Sequence, residues 1–350
     1  MTLALYDPEF GYYARASQRS GRSGDFFTSV DVGPLFGELL EYQLHQCFEL
    51  LQTHPYDLVE AGAGNGRLAG DILRAARREH RLFYEGIRLH LVEASAAARA
   101  EQRATLNKVA DRLVFSEPSL PETFEGVLLA NELLDAMPVH QVVMREDGLR
   151  EVYIEAREEL TTVEGPPSSP RLKDYLDRAG ATLEPGWRAE INLAAVDWVR
   201  EAVRRLRRGF VILIDYGHEA SELYSASHSS GTLTTFHRHR SVEGFPRAVV
   251  SPVLPWLGHP GEQDITSHVD FTSVRAAAEA EGMQTLGFLD QTYFLLGILN
   301  RSARLGARST SALKTLLVPG GLGSTHKVLL LGKNVGRPDL IGCSFRVRVT

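Results

Sequence analysis

Asp57-Leu58-Val59-Glu60-Ala61-Gly62-Ala63-Gly64-Asn65-Gly66 decides how this chain is read. A short apolar strand ends in a carboxylate, Glu60, and runs into a loop with glycine at every second position. Arg67 to Arg77 then reads as a helix. Backbone N–H groups at such a turn attract polar or anionic groups, and glycine lets a ligand come close. A dinucleotide fingerprint wants G-x-G-x-x-G, its third glycine permitting close packing of helix on strand. Here Arg67 holds that position and the third glycine, Gly66, arrives one residue early. G-x-G-x-G preceded by an acid suits S-adenosylmethionine instead, because the amino-acid end of that cofactor needs no pyrophosphate cradle. The alternative is a tight turn in an unrelated α/β protein.

The next strand adds to this. Ile87 to Val92 is followed by Glu93, somewhat beyond the ~20-residue spacing of the dinucleotide pattern. A carboxylate at that strand end can accept both ribose hydroxyls; its other role is to cap a helix beginning near Ser95.

Outward from these strands the pattern alternates strand and helix. Strands are expected at 57–61, 87–93, 112–116 and 126–130, and helices near 67–79 and 95–107. Strands spaced by helices imply crossovers and a parallel sheet. Upstream, Pro34 opens a helix with an apolar stripe through Leu35, Phe36, Leu39, Leu40, Leu44, Cys47, Phe48 and Leu51. Residues 142–160 read as a hairpin turning at Asp147-Gly148, and 161–188 as an excursion from the sheet. A helix at 192–207 leads into the strongest apolar strand, 210–214, which closes on Asp215-Tyr216-Gly217. The segment 218–266 is rich in Ser, Gly, His and Pro and reads as a long irregular lid or binding loop. A helix at 271–282 and strands at 284–289 and 327–332 complete the pattern.

Composition narrows the classes. The 350 residues are 43% hydrophobic and 8% aromatic, as in a globular protein with a sizeable core. A net charge of −6 argues against a nucleic-acid or membrane-surface binder. The Arg-rich runs Arg77-Arg78 and Arg204–Arg208 fall late in expected helices, where cations suit the macrodipole. Two cysteines, Cys47 and Cys343, give no disulfide framework and favour a reducing compartment, with the cytoplasm as default. No apolar run is long enough for a membrane span. His237-Arg238-His239-Arg240 lacks a partner cluster with ligand spacing, so no metal is expected.

In open α/β sheets, ligands bind beyond the carboxyl ends of the strands. That geometry gathers Glu60, Gly62, Gly64, Gly66, Glu93, Asp215 and the segment Asn131-Glu132-Leu133-Leu134-Asp135-Ala136-Met137-Pro138-Val139-His140-Gln141 onto one rim. Asn131 offers an amide carbonyl to a substrate N–H. Glu132 and Asp135 offer charge for a cation, and His140 can move a proton. The competing account is an N-cap cluster with a satisfied histidine.

With these residues quoted, the chain resembles the MidA-like methyltransferases, a family that includes a mitochondrial complex I assembly factor acting on arginine of a respiratory-chain subunit. The resemblance spans about residues 3–334. It rests on Leu5–Tyr13, Gly24–Thr28, Phe36–Leu40, the glycine loop, Ala130–Gln141, Leu213–Gly217, Gly231–Leu233 and Pro260–Phe271. It implies an α/β, class I S-adenosyl-L-methionine-dependent methyltransferase fold: a Rossmann-like seven-stranded sheet with helices on both faces, an N-terminal segment and an inserted substrate lid. By motif position, Glu60, Gly62, Gly64, Glu93 and Asn131 would contact the cofactor, while Gly24, Asp25 and Thr28 would close over its methionine end. The expected organisation is an N-terminal segment at 1–54, a methyltransferase domain at 55–334 with insertions at about 142–190 and 218–266, and a tail at 335–350. The glycine loop has Ala63 where the family commonly has proline, and Asp31 replaces a usual glutamate.

The implied reaction is methylation of a protein arginine. A guanidinium stays protonated at neutral pH, so its site needs carboxylates that hold the fork and draw charge from the attacking nitrogen. Glu132, Asp135, Glu262 and Asp264 are the acids on plausible rim segments, with His140 or His268 as proton acceptor. Small-molecule N- or O-methylation and a non-catalytic, cofactor-binding assembly role are the alternatives; a dehydrogenase is disfavoured by Arg67.

Overall fold

The computed structural model describes residues 1–14, 28–237, 240–243, 254–301, 311–317 and 322–345. The first strands are β1 (Tyr56–Ala61), β2 (Ile87–Val92), β3 (Leu113–Glu117) and β4 (Phe124–Asn131). There follow β5 (His140–Arg145), β6 (Gly148–Ala156), β7 (Leu160–Gly165) and β8 (Arg188–Ile191), then β9 (Leu206–His218). Beyond it lie β10 (Thr234–His237), β11 (Arg240–Glu243), β12 (Asp264–Thr266), β13 (Val269–Asp270), β14 (Gln284–Asp290) and β15 (His326–Lys333).

Seven of these form the central sheet in the order β14-β15-β9-β4-β1-β2-β3, and the two-residue β13 pairs with the end of β9. Strands β3, β2, β1, β4 and β9 are parallel, whereas β15 runs antiparallel to both β9 and β14. This is the seven-stranded α/β architecture expected from the sequence.

Side chains alternate across a strand, and here each face has its own core. Leu58, Val127, Leu129, Ile212, Ile214 and Leu330 point to one side, against the helices Leu35–Leu51, Arg67–Glu79 and Gln291–Arg301. Val59, Leu128, Ala130, Val211, Leu213 and Leu331 point to the other, against the helices Arg171–Ala179, Leu193–Arg205 and Phe271–Ala280. Burial on both faces explains why these strands read as continuous apolar runs.

The expected hairpin is present as β5 and β6, with Gly148 opening β6. The segment read as an excursion supplies β7, a helix and β8, completing a four-stranded antiparallel sheet ordered β7-β6-β5-β8. The segment read as irregular holds a three-stranded sheet, β11-β10-β12. Leu5 and Tyr12 of the N-terminal segment pack with Leu233, Trp256, Leu257 and Ile265 there, so the start of the chain is anchored to this insertion. Strand β9 begins at Leu206, which puts Arg207 and Arg208 in a strand rather than at a helix end; Arg208 pairs with Glu125 at 3.3 Å. Among the described residues, no helix is long and apolar enough to cross a membrane.

The centre of the sheet is tightest at its glycines. At Gly126, with φ of +151°, an added Cβ would lie 2.0 Å from the Asp57 carbonyl oxygen of β1, a backbone atom fixed by the ladder. Gly126→Ala is therefore expected to destabilise the fold by at least about 2 kcal/mol in urea unfolding. A loss within about 0.5 kcal/mol, the range of a neutral surface change, would contradict this packing.

Candidate cofactor and methyl-transfer site

Beyond the carboxyl ends of β1, β2 and β4 lies a cavity of about 510 Å³, a size suited to a small organic cofactor. Its walls include Tyr6, Tyr13, Thr28, Glu60, Gly62, Gly64, Arg67, Glu93, Asn131, Glu132, Met137 and Trp198.

The glycine loop forms its floor. Gly62 and Gly64 have φ of +71° and +50°, a left-handed conformation that other residues adopt only with strain. Nothing lies within 4 Å of a Cβ built on Gly64, so this backbone faces open space where a ligand can approach. Gly66, also expected to contact the cofactor, is absent from the wall. A Cβ there would meet Leu91 at 3.2 Å, so its absence lets the helix start pack on β2.

Two carboxylates brace this loop. Glu60 closes β1, and its Oε2 accepts the Ala69 N–H at 3.1 Å, capping a helix whose N-cap, Gly66, has no side chain. Burial pushes the Glu60 carboxyl up to about 8, against the opposing effect of that N–H; nearby Glu93 and Asp71 add to the rise. Glu93 accepts the Gly64 N–H through Oε2 and the Ser95 N–H through Oε1, both at 2.8 Å. Each carboxylate oxygen has a second lone pair, so Glu93 can brace the loop and still accept a hydroxyl. The two roles read for it in the sequence are compatible.

Asn131 ends β4, and its Oδ1 is buried with no hydrogen-bond partner while Nδ2 donates to Glu132 Oε1 at 3.2 Å. An orphaned acceptor in a cavity wall calls for a donor from a ligand. Glu132 follows with φ of +51°, a strained conformation for a glutamate. It is held by its own N–H to Ile214 O at 2.8 Å. Its Oε1 also lies 3.4 Å from the Ser29 N–H and 3.4 Å from Nε2 of the buried His326, the latter at ion-pair distance but off the hydrogen-bonding line.

Behind this turn sits Asp215 of β9. Its Oδ2 accepts N–H groups from Leu133, Leu134 and Asp135 at 3.2, 2.8 and 3.3 Å, and Oδ1 accepts from Tyr216. Burial pushes Asp215 up to about 7. Asp135 is raised well above the usual carboxylate range, by burial first and then by Asp215, Glu132 and Asp264. Its Oδ1 is buried without a partner, and it lies behind the wall rather than in it.

His140 lies apart from these residues. It begins β5 in the separate antiparallel sheet and outside the cavity wall, with Nδ1 2.7 Å from Glu151 Oε1. The chain leaves the rim at Pro138, so closeness in sequence to Asn131 does not become closeness in space. Of the other rim candidates, Asp264 is buried and accepts Tyr13 OH at 2.9 Å, whereas Glu262 is exposed outside the wall. Gly24 and Asp25 lie outside the described residues, as do Arg238 and His239 of the histidine–arginine run. Thr28 is in the wall, its N–H and hydroxyl both donating to Asp31 Oδ2 at 2.9 Å.

The residues that sequence reasoning left out are Tyr6, Tyr13, Trp198 and, above all, Arg67. Arg67 reaches Asp31 at 2.9 Å and so ties the Thr28–Val32 segment to the first turn of the glycine-loop helix. The signal was available: an arginine where a dinucleotide fold wants glycine, and an acid in the N-terminal segment.

Glu93 and Glu132 line this cavity beside the protonated Glu60, and Arg67 is already paired. Such a wall repels a pyrophosphate and suits a ligand bearing hydroxyls and positive charge. The open Gly64 backbone, the acceptors of Glu93 and the unpartnered Asn131 Oδ1 fit S-adenosyl-L-methionine.

Comparison with known proteins agrees. The model of a family described as S-adenosyl-L-methionine-dependent methyltransferase matches residues 39–289. Protein arginine methyltransferase NDUFAF7, mitochondrial, of Mus musculus is 27% identical over 325 residues, covering 84% of this chain and 68% of that protein. Its Bos taurus counterpart is 29% identical over 327 residues, with 84% and 68% covered. The crystal structure of a Burkholderia thailandensis protein bound to S-adenosyl-homocysteine matches with a TM-score of 0.85 at 30% identity, covering 98% of this chain and 88% of that one.

Two outcomes follow from this geometry. Arg67→Ala frees the N-terminal segment from the glycine loop and should weaken S-adenosyl-L-methionine binding by roughly tenfold, about 1.4 kcal/mol, in isothermal titration; unchanged affinity would mean the tether does not shape the site. Glu60 keeps its proton to about pH 8 when folded, against a usual value of 4.5. The folded state thus holds an extra proton across that window, and stability falls as pH rises through it. Glu60→Gln removes this loss, so the ligand-free variant should fall less steeply between about pH 5 and 7.5, by up to about 1.4 kcal/mol per unit. Parallel unfolding curves for the two proteins would refute the buried, protonated Glu60.

Proposed function

This chain belongs to the family of S-adenosyl-L-methionine-dependent methyltransferases, and we propose that its methyl acceptor is an arginine side chain of a protein. The observation that carries the proposal is Glu132. It lies in the cavity wall beside Asn131, and its side-chain hydrogen bonds and ion pair among the described residues all run through Oε1, which leaves Oε2 for a ligand. Behind it, Asp135, Asp215 and Asp264 are buried acids. The names of the Mus musculus and Bos taurus relatives support the same substrate class.

The cofactor supplies an electrophilic methyl group on a sulfonium. In our reading, Glu132 Oε2 accepts N–H groups of the guanidinium and concentrates its charge away from the attacking nitrogen. Asn131 Oδ1 accepts a further N–H and aims that nitrogen along the line of displacement. Glu132 would accept the proton that the arginine nitrogen gives up on methylation, because burial already makes Asp135 and Asp215 behind it hold protons tightly. His140 has no part in this step. Glu60, Gly62, Gly64 and Glu93 hold the cofactor, with Thr28 beside them. The N-terminal segment, the domain at 55–334 and its two insertions act as the frame for that site.

A subunit of a respiratory-chain complex is the candidate protein substrate, and the cytoplasm the candidate compartment. Cys47 and Cys343 are free thiols, which supports a reducing environment. The relatives' names say "mitochondrial", and that is a property of those proteins.

The test uses S-adenosyl-L-methionine labelled in its methyl group, the full chain, and extract from cells lacking it, followed by hydrolysis of protein to amino acids. Label in methylarginine is expected. Glu132→Gln should lower it by about 10²-fold or more while cofactor affinity changes little. Label confined to small molecules or to other amino acids would overturn the arginine assignment.

A further inference from the structure

Three histidines that the site does not use meet at the edge of the lid insertion. His218 is the last residue of β9. Parallel pairing of β13 with β9 sets Val269 opposite Gly217 and Asp270 opposite His218, which brings His268, the residue before β13, alongside. His228 ends the short 3-10 turn Ala226–His228. The ring centroids are 4.9, 5.3 and 5.9 Å apart, and one ligand nitrogen from each ring lies within 4.8 Å of the other two.

Each partner is held in place by the fold. The His268 N–H donates to Thr232 Oγ1 at 3.1 Å, and Thr232 is itself fixed on the buried Glu190. The His228 N–H closes its turn on Ser225 O. Ala220, just past His218, donates to Thr272 Oγ1 at 2.9 Å, so both ends of the insertion are pinned beside one another.

An outer hydrogen bond orients one of the rings as a metal ligand requires. His228 Nδ1 lies 3.0 Å from the Glu222 carbonyl oxygen, so this nitrogen carries the proton and donates, leaving Nε2 bare. His218 Nδ1 lies 3.0 Å from Glu222 Oε1, at ion-pair distance but off the hydrogen-bonding line. His268 Nδ1 is buried with no hydrogen-bond partner. None of the three rings lines the cofactor cavity.

We propose that His218, His228 and His268 form a binding site for a divalent transition metal of the Zn²⁺ class, with three imidazole nitrogens as ligands and a fourth position open to water. Zinc–nitrogen bonds of ~2.0–2.1 Å in a tetrahedron put ligand nitrogens about 3.3 Å apart. Binding therefore draws the rings inward by about an ångström, within reach of side-chain rotation. Because the ligands come from the end of β9, the 226–228 turn and the approach to β13, the metal acts as a clamp that fixes the insertion to the sheet. It stands apart from the methyl-transfer step.

The test takes the full chain without an affinity tag, strips it with a chelator, and titrates it with Zn²⁺ and separately with Co²⁺. One equivalent of either ion is expected to bind, with the visible absorption of tetrahedral Co²⁺ and a rise in melting temperature that chelator reverses. The double variant His218→Gln/His268→Gln should bind at least about tenfold more weakly and lose the Co²⁺ spectrum. If that variant does not fold, His228→Gln, on the exposed turn, replaces it with the same expectation. Absence of binding at micromolar Zn²⁺, or binding and spectrum unchanged in the variant that folds, would overturn the site.

Discussion

The carboxyl edge of a parallel sheet leaves the chain with backbone N–H groups that no ladder satisfies, and in this protein acids at the strand ends satisfy them. Glu60 at the end of β1 accepts from Ala69; Glu93 after β2 accepts from Gly64 and Ser95. Asp215 in β9 accepts from Leu133, Leu134 and Asp135. Asp270 of β13 accepts from Thr272 and Ser273. Each bond is ordinary helix or turn capping, with a net worth of about 1 kcal/mol or somewhat more for a charged acceptor. Together they fix the glycine loop, the start of the helix after Glu93 and the Asn131–Asp135 turn on one rim. The cofactor site is what this edge becomes once its loops are fixed.

The same device concentrates negative charge where it is hard to keep. Glu132, Asp135, Asp215 and Asp264 influence one another, and the buried pair Asp135 and Asp215 responds by holding protons more tightly. Buried His326 lies beside Glu132 and opposes the rise at Asp215. Taking charges out of water costs several kcal/mol per ion unless a partner compensates. A rim of this composition gains most from a ligand that brings positive charge and several N–H donors. That is a physical reason for a cationic cofactor and a cationic acceptor to share one cavity.

How much of this was legible in the chain follows from where each signal lives. Strands buried on both faces read as apolar runs, and the acids that close them mark the rim, so β1, β2, β4 and β9 and the residues Glu60, Glu93 and Asn131 could be placed from sequence. The helix Gln291–Arg301 escaped notice because Tyr293, Phe294, Leu295, Leu296 and Ile298 crowd its surface without a clean polar face. The small sheet of β10, β11 and β12 was hidden because its strands are three or four residues long and the third begins only at Asp264. The position of His140 could not be read from its neighbours, because a contiguous motif crosses from the end of β4 into a different sheet. The histidine trio leaves no trace in linear spacing, since a parallel pairing and a turn from distant segments assemble it.

Arg67 shows how one residue of phase changes what a loop can serve. In a dinucleotide fold the third glycine sits where helix and strand approach most closely. Here Gly66 does that work one residue earlier, adopting a φ of +82° and leaving room for Leu91. The next position is thereby released from the packing constraint and can carry a long cation. Arg67 spends that freedom on Asp31, which ties the Thr28–Val32 segment to the start of the glycine-loop helix. The missing glycine that argues against a dinucleotide is thus the same feature that closes the cavity around another ligand.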